Sequence, residues 1–358
     1  MNLVKTTYKK EDCIFLLKDL SEYDLELPIN IREKQMQGNG HYSESLPEEK
    51  SVDENYKNYY FQLLNETKLQ LATYIQTLAH EILKNKKQPF VLVSLARGGT
   101  PIGALLARYF RMMLNLEIPH YSISIIRSRG LDLEAIRYII ANHPTSTIQF
   151  VDGWTGKGAI TKELINSCEQ LKNQFNISLK PDLAVIADPG NCASLCATKE
   201  DFLVVNSLLN STISGLISRT VLNKEVIHNG DFHGAKYYDK FISEDETNHF
   251  LDEITSCFAK LPEVKNGITG EITFEGWQQV KEIAALFQVD DMNLIKPSLG
   301  EATRVLLRRK PWKLLIKDLT HPRVQHLLLL AKEKNVDILH YPKMNYLACG
   351  IISKVGRE

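Results

Sequence analysis

The sequence has little that would tie it to a membrane or to an oxidising compartment. Its apolar runs fall far short of the ~20 residues that a membrane-spanning helix needs. The N-terminus is crowded with Lys5, Lys9, Lys10, Glu11 and Asp12, where a secretory leader would carry an apolar core. Six cysteines, at positions 13, 168, 192, 196, 257 and 349, are too few and too scattered for a disulfide framework. Cys192-x-x-x-Cys196 has no second pair to close a zinc site. Net charge is zero, so no field of one sign covers the chain. These absences lead us to expect a reduced, cytoplasmic protein with no membrane partner.

What is present is an ordinary globular composition, 44% hydrophobic and 24% charged, in 358 residues, enough for two domains and a small third. The charge is uneven: Asp290 to the end holds 13 Lys and Arg against 7 Asp and Glu. A basic tail on an otherwise acidic chain points to an anionic partner.

The most informative stretch is Ile148-Gln-Phe-Val-Asp-Gly-Trp-Thr-Gly-Lys-Gly-Ala159. A β-forming run ending at Asp152 passes through Gly153, Gly156 and Gly158 into an amphipathic helix over about 159–172. Such a turn directs backbone N–H groups at a ligand, and glycine lets an oxyanion approach them. Thr155 adds a hydroxyl, Lys157 a cation and Asp152 a carboxylate at the end of the strand, where open α/β sheets bind ligands. The spacing fits neither a Walker loop nor a dinucleotide fingerprint. A second unit of the same kind lies about 50 residues earlier. Phe90 to Leu95 reads as a buried strand, followed by Ala96-Arg97-Gly98-Gly99-Thr100-Pro101, with Pro101 suited to a helix start.

The remaining pattern alternates strand and helix. A helix is predicted over 55–86, and strands over 121–126, 183–187 and 202–205. The result is a mostly parallel sheet with helices on both faces. Arg127 and Arg129 follow the strand at 121–126. Arg219 ends a hydroxyl-rich segment, and His233 sits in Asp231-Phe-His-Gly-Ala-Lys236. From Asp290 a new unit begins: a helix start with capping-box spacing at Ser298 and Glu301, a strand at 312–317, a helix at 321–334 and strands at 336–340 and 350–352. We place the boundaries at 1–86 for an N-terminal extension with a helical region, 87–265 for the sheet domain, 266–289 for a linker and helix, and 290–358 for a small α/β sandwich.

The two glycine turns together resemble the pyrophosphate loop and the phosphoribosyl-diphosphate loop of type I phosphoribosyltransferases, although Asp152 lacks the second adjacent carboxylate of that pattern. The C-terminal unit resembles the Pelota-type, ribosomal-L7Ae-like RNA-binding domain. With Val93-Ser-Leu-Ala-Arg-Gly-Gly-Thr-Pro-Ile-Gly103 and Ser214-Gly-Leu-Ile-Ser-Arg-Thr220, the whole chain resembles the StiP family of tellurite-resistance and stress gene clusters. That family bears both a cysteine-protease label and a phosphoribosyltransferase-like domain assignment.

The resemblance implies Arg97, Gly98, Gly99 and Thr100 on pyrophosphate, with Mg²⁺ accompanying the substrate near Asp152. It puts Thr155, Gly156, Lys157 and Gly158 on a 5-phosphate, Asp152 on the ribose, and Arg127, Arg219 and His233 around the ligand. The expected partner is phosphoribosyl diphosphate or a related nucleotide. Arg304, Arg308, Arg309, Lys310 and Lys313 would meet RNA phosphates. Two alternatives remain: a cysteine protease built on Cys192 and His233, and a nucleotide- or RNA-binding regulator without turnover.

Overall fold

The computed structural model describes residues 2–28, 31 and 40–354, apart from the side chains of Asn55 and Arg308. Seven strands form the main path of the large sheet: β1 (Ile14–Phe15), β2 (Phe90–Ala96), β3 (His120–Ile126), β4 (Thr147–Trp154), β5 (Leu183–Ala187), β6 (Leu195–Thr198) and β7 (Ile268–Thr269). Their order is β1-β3-β2-β4-β5-β6-β7. All neighbours are parallel except β6 and β7.

Parallel strands need crossovers, and helices supply them on both faces. The helices of this domain are α1 (Glu54–Asn85), α2 (Thr100–Leu114), α3 (Leu133–Asn142), α4 (Ala159–Phe175) and α5 (Thr247–Thr255). The period-two alternation of strand residues decides which face each serves. Leu92 and Val151 pack with Leu71, Ile75 and Leu78 of α1, Leu105 of α2 and Phe250 of α5. Val91, Val93 and Phe150 face the other way, toward Ile136 of α3 and Leu164 of α4. Each fully buried Leu or Ile stabilises the sheet by about 1.5–3 kcal/mol relative to exposure.

One expected strand is absent. Phe202 to Val204 is a buried apolar run, but it is an extended connection rather than a sheet member, and the parallel strand that follows β5 is β6, Leu195–Thr198. The run is buried because it passes between domains: Phe202 packs with the large sheet's core, while Leu203 enters the C-terminal core. An unbroken apolar run reports burial on all sides, not the element that is buried.

The C-terminal unit has four strands, β8 (Ile295–Pro297), β9 (Pro311–Ile316), β10 (Asp337–His340) and β11 (Ala348–Ile352), in the order β8-β11-β9-β10. Helices α7 (Leu299–Arg308) and α8 (Gln325–Glu333) cover one face. Helix α6 (Glu275–Phe287) covers the other through Val280 and Ile283, so the helix of the 266–289 connection packs on this sheet. The expected mixed α/β architecture, a mostly parallel sheet with a small sheet domain after it, is what forms. Among the described residues no helix is long and apolar enough to cross a membrane.

The α7 N-terminus is where the two units lock together. Its first N–H groups lack partners within the helix. Ser298 Oγ accepts from Glu301 N at 3.4 Å, the capping contact its spacing suggested. The stronger partner comes from the other domain. Both oxygens of Asp201 accept from Leu299 N, at 3.0 and 2.9 Å, and Asp201 also accepts from Leu347 N at 3.0 Å. Burial pushes the Asp201 carboxyl up to about 6, although these three N–H contacts and that of Ala348 oppose the rise.

Candidate functional site

The adjacency of β2 and β4 brings the two glycine turns together at the carboxyl ends of the sheet. A Cβ at Gly98 would lie 3.4 Å from Asp152 Oδ1, and one at Gly153 would lie 3.5 Å from the Gly98 carbonyl oxygen. Gly99 is required sterically: a Cβ there would overlap the Val151 carbonyl and come within 2.9 Å of Asp152 Cα. Gly158, at φ +81°, is in the left-handed region that glycine tolerates, and it opens α4. Strand β4 continues two residues past Asp152, to Trp154, so the turn proper begins at Thr155.

The predicted residues other than Arg308 have definite places. Asp152 accepts from Gly153 N at 2.7 Å. Burial raises its carboxyl to about 7, with Glu301 adding to the rise and Gly153 N–H and Arg304 opposing it. Arg97 donates from Nη1 to the Ile217 carbonyl at 2.6 Å and lies 4.0 Å from Glu49. The Thr100 and Ser122 hydroxyls share a buried hydrogen bond of 2.7 Å. Thr155 donates to Asp188, a carboxylate that also accepts from Cys192 N and Lys199 Nζ. Lys157 donates to the Met292 and Ile295 carbonyls of the C-terminal unit, and Tyr346 donates to the Gly156 carbonyl at 3.0 Å. Burial brings the Lys157 amine down to about 7, with Lys296 and Arg127 pushing the same way.

Around these turns, Arg127 and Arg219 each lie over the Tyr42 ring, both 5.8 Å from its centroid. The Tyr42 hydroxyl accepts from Arg127 N at 2.8 Å, and Arg127 Nη1 reaches Asn293 Oδ1 at 3.5 Å. Arg129 pairs with Glu44 at 2.9 Å. His233 is farther into the fold. Its ring nitrogen Nδ1 hydrogen-bonds Ser124 Oγ at 2.9 Å, its backbone N donates to Asp132 at 2.5 Å, and burial lowers its imidazole to about 4. Cys192 lies against the second turn, its backbone N on Asp188 at 2.7 Å and its thiol 3.7 Å from the Gly156 carbonyl. Its thiol donates to the Gly190 carbonyl at 3.1 Å, and burial, with Asp188 next, pushes it up to about 12. Among the described residues all six cysteines are buried, and no thiol hydrogen-bonds an imidazole.

On the C-terminal unit, Arg304 turns inward. Its guanidinium stacks 4.7 Å from the Trp154 ring centroid, pairs with Glu301 at 3.1 Å and donates to the Ser207 carbonyl. Lys313 pairs with Asp337 at 3.0 Å. Arg309 and Lys310 are exposed; the side chain of Arg308 is outside the described residues. Sequence reasoning did not single out Lys296, Glu301 as a site residue, or Asp201. Tyr42 carried one signal, its position in His41-Tyr42-Ser43-Glu44 within a polar loop, where binding residues often sit.

Fold and site together define an α/β protein with paired glycine turns at the carboxyl ends of two adjacent central strands, followed by a small α/β domain that packs on the second turn. Residues 274–354 match the Pelota RNA-binding domain. Residues 6–255 match the family described as tellurite-like stress resistance cysteine protease StiP. A protein of Acinetobacter baylyi (strain ATCC 33305 / BD413 / ADP1) named "Cysteine protease StiP" is 33% identical over 371 residues, covering 98% of this chain and 94% of that protein. This chain therefore belongs to the StiP family.

Proposed function

We propose that the paired turns bind phosphoribosyl diphosphate or a related nucleotide and that the protein transfers the phosphoribosyl group to an acceptor. The observation that carries this reading is the approach of Gly98 to Asp152, which brings the two glycine turns side by side at the carboxyl ends of adjacent strands. In the transfer the C1–O bond of the sugar breaks, pyrophosphate leaves with the bonding pair, and a lone pair of the acceptor closes on C1. The positive character that develops on the ribosyl ring is stabilised by fixed charge rather than by a covalent intermediate. Asp152 faces the ribose hydroxyls, and Arg97 with the Gly98 amide holds the leaving group, the Gly99 amide being donated to the Leu95 carbonyl.

Among the described residues no group of three His, Cys, Asp or Glu side chains forms a metal cage. Mg²⁺ commonly binds through one or two carboxylates and the phosphates of its substrate. Asp152 is the carboxylate that would meet it, and bound Mg²⁺ would neutralise charge on the leaving pyrophosphate. In the C-terminal domain, exposed Arg309 and Lys310 supply phosphate contacts for RNA, with affinity falling as salt rises.

Two features favour a second reading, a ligand-sensing regulator without turnover. The Thr155 hydroxyl and the Lys157 amine are already committed to Asp188 and to C-terminal carbonyls. A cysteine-protease reading has the printed description of the family and the name of the Acinetobacter relative behind it, while Cys192 and His233 make separate contacts here and burial pushes the thiol up. Calorimetry with phosphoribosyl diphosphate and Mg²⁺ tests the proposal. Binding that weakens at least about tenfold in Arg97→Ala and Asp152→Ala is expected. Absent binding, or binding indifferent to both changes, rules the transferase out; binding without turnover of any acceptor leaves the regulator. Loss of peptidase activity on Cys192→Ala would restore the protease.

A further inference from the structure

The second glycine turn has the parts of an anion site, yet the C-terminal domain covers it. Helix α4 runs for 17 residues and starts from Gly158 without a side-chain cap. Its first N–H groups have no partners within the helix. Thr161, in the first turn of α4, is 1% exposed, and its hydroxyl has no hydrogen-bond partner among the described residues. Lys157, the cation of the turn, is 6% exposed and donates to the Met292 and Ile295 carbonyls.

The cover is close. The Pro297 carbonyl oxygen lies 3.2 Å from where a Gly156 Cβ would stand, and the Phe274 ring lies 2.7 Å from where a Gly158 Cβ would. Tyr346 donates to the Gly156 carbonyl at 3.0 Å. Its hydroxyl is seated between Gly190 and Gly276: a Cβ on the first would come within 2.6 Å of it, and one on the second would overlap it.

The polarity of these contacts is what matters. Met292, Ile295 and Pro297 bring three carbonyl oxygens to the turn, two on the Lys157 amine and one against Gly156. An ammonium has three N–H groups, and the carbonyls take two of them. A phosphate oxygen needs the same donors, and carbonyl lone pairs at that range repel it. The segment therefore fills the place of an anion with oxygens of the protein itself. The first turn is tied within the large domain instead, through Arg97 on the Ile217 carbonyl.

We propose that the 292–297 segment, backed by Tyr346, is an internal competitor for the phosphate position of the second turn, so that a phosphate monoester binds there only as the C-terminal domain moves off. This deepens the sugar-phosphate reading and rests on it for the sugar part of the ligand. Ligand binding and domain closure oppose each other, and by linkage each weakens the other by the same factor. Asp201 on Leu299 N and Leu347 N, and Arg304 on Trp154, set how firmly the cover is held.

Titration calorimetry of the full chain with ribose 5-phosphate reads the sign of this coupling. Tyr346→Phe removes one hydrogen bond of the closed arrangement and keeps every residue of the turn, so binding is expected to tighten on the order of fivefold. Asp201→Ala acts through α7 and is expected to tighten it in the same direction. Inorganic diphosphate, which suits the first turn, should bind both variants as it binds the parent. Melting curves confirm that each variant is folded. In the parent, ribose 5-phosphate should speed limited proteolysis of the largely exposed connection at 261–273. Unchanged or weaker binding in the folded variants, equal tightening of diphosphate, or slower cleavage with ligand overturns the competitor, and the sugar-phosphate reading survives. Inorganic phosphate that binds as tightly as ribose 5-phosphate, and tightens in the same variants, upholds the competitor and sinks the sugar reading. Failure of the parent and both variants to bind either ligand overturns both.

Discussion

The two glycine turns carry nearly the same chemistry, yet they are held by different parts of the molecule. The turn after β2 belongs to the large domain alone: Gly99 fits against the β4 backbone, and Arg97 is tied to Ile217. The turn after β4 is a joint between domains, with Tyr346 on Gly156, Met292 and Ile295 on Lys157, and Arg304 on Trp154. Two similar motifs can thus have distinct mechanical roles, one a fixed wall and the other a seam that opens only if the C-terminal domain shifts.

That contrast breaks most readily at Gly99. Gly99→Ala places a methyl against the Val151 carbonyl and Asp152 Cα in a strand pair that cannot spread cheaply. A loss of about 3 kcal/mol is expected, read by denaturant unfolding, with the α/β domain bearing it. A smaller effect should fall on the seam. Asp201→Ala strips the partner from Leu299 N and Leu347 N. We expect a loss of about 2 kcal/mol, and limited proteolysis should then release the C-terminal domain while the large sheet stays intact. Equal sensitivity of both domains would show that the seam is not a separate unit.

The smallest effect concerns pH. Between about 4 and 7 the folded protein holds a proton on Asp152 that the unfolded chain has released, so stability falls as pH rises through that window. Between about 7 and 10 the unfolded chain holds a proton on Lys157 that the folded protein has released, so stability rises again. Both contributions are least near pH 7. Asp152→Ala should flatten the acid limb and Lys157→Met the alkaline one, each by on the order of 1 kcal/mol, in melting temperature measured against pH. Unchanged limbs would mean that neither group is desolvated as the geometry requires.

Much of the architecture was legible because its causes are local. Val91 and Val93 alternate with Leu92 whatever lies beyond them, Gly158 requires its left-handed backbone, and Leu71, Ile75, Leu78 and Ile82 recur at helical spacing. Phe202 to Val204 was misread because burial between two cores leaves no periodicity, while the real strand, Leu195–Thr198, is short and weakly β-forming. For Cys192 and His233 the sequence offered only residue type and a nearby turn; their contacts, the thiol with the Gly190 and Gly156 carbonyls and the imidazole with Ser124, came with the tertiary structure.

The sequence by itself determined the strand-turn-helix units, their parallel order and the basic bias of the tail, because backbone propensity and hydrophobic period act over a few residues. Only the tertiary structure decided that Lys157 answers to Met292 and Ile295, that Arg304 faces Trp154, and that Asp201 caps a helix about a hundred residues later. Such partners are chosen by how two finished surfaces meet and how much water they exclude, and no short window of sequence contains both sides of that contact.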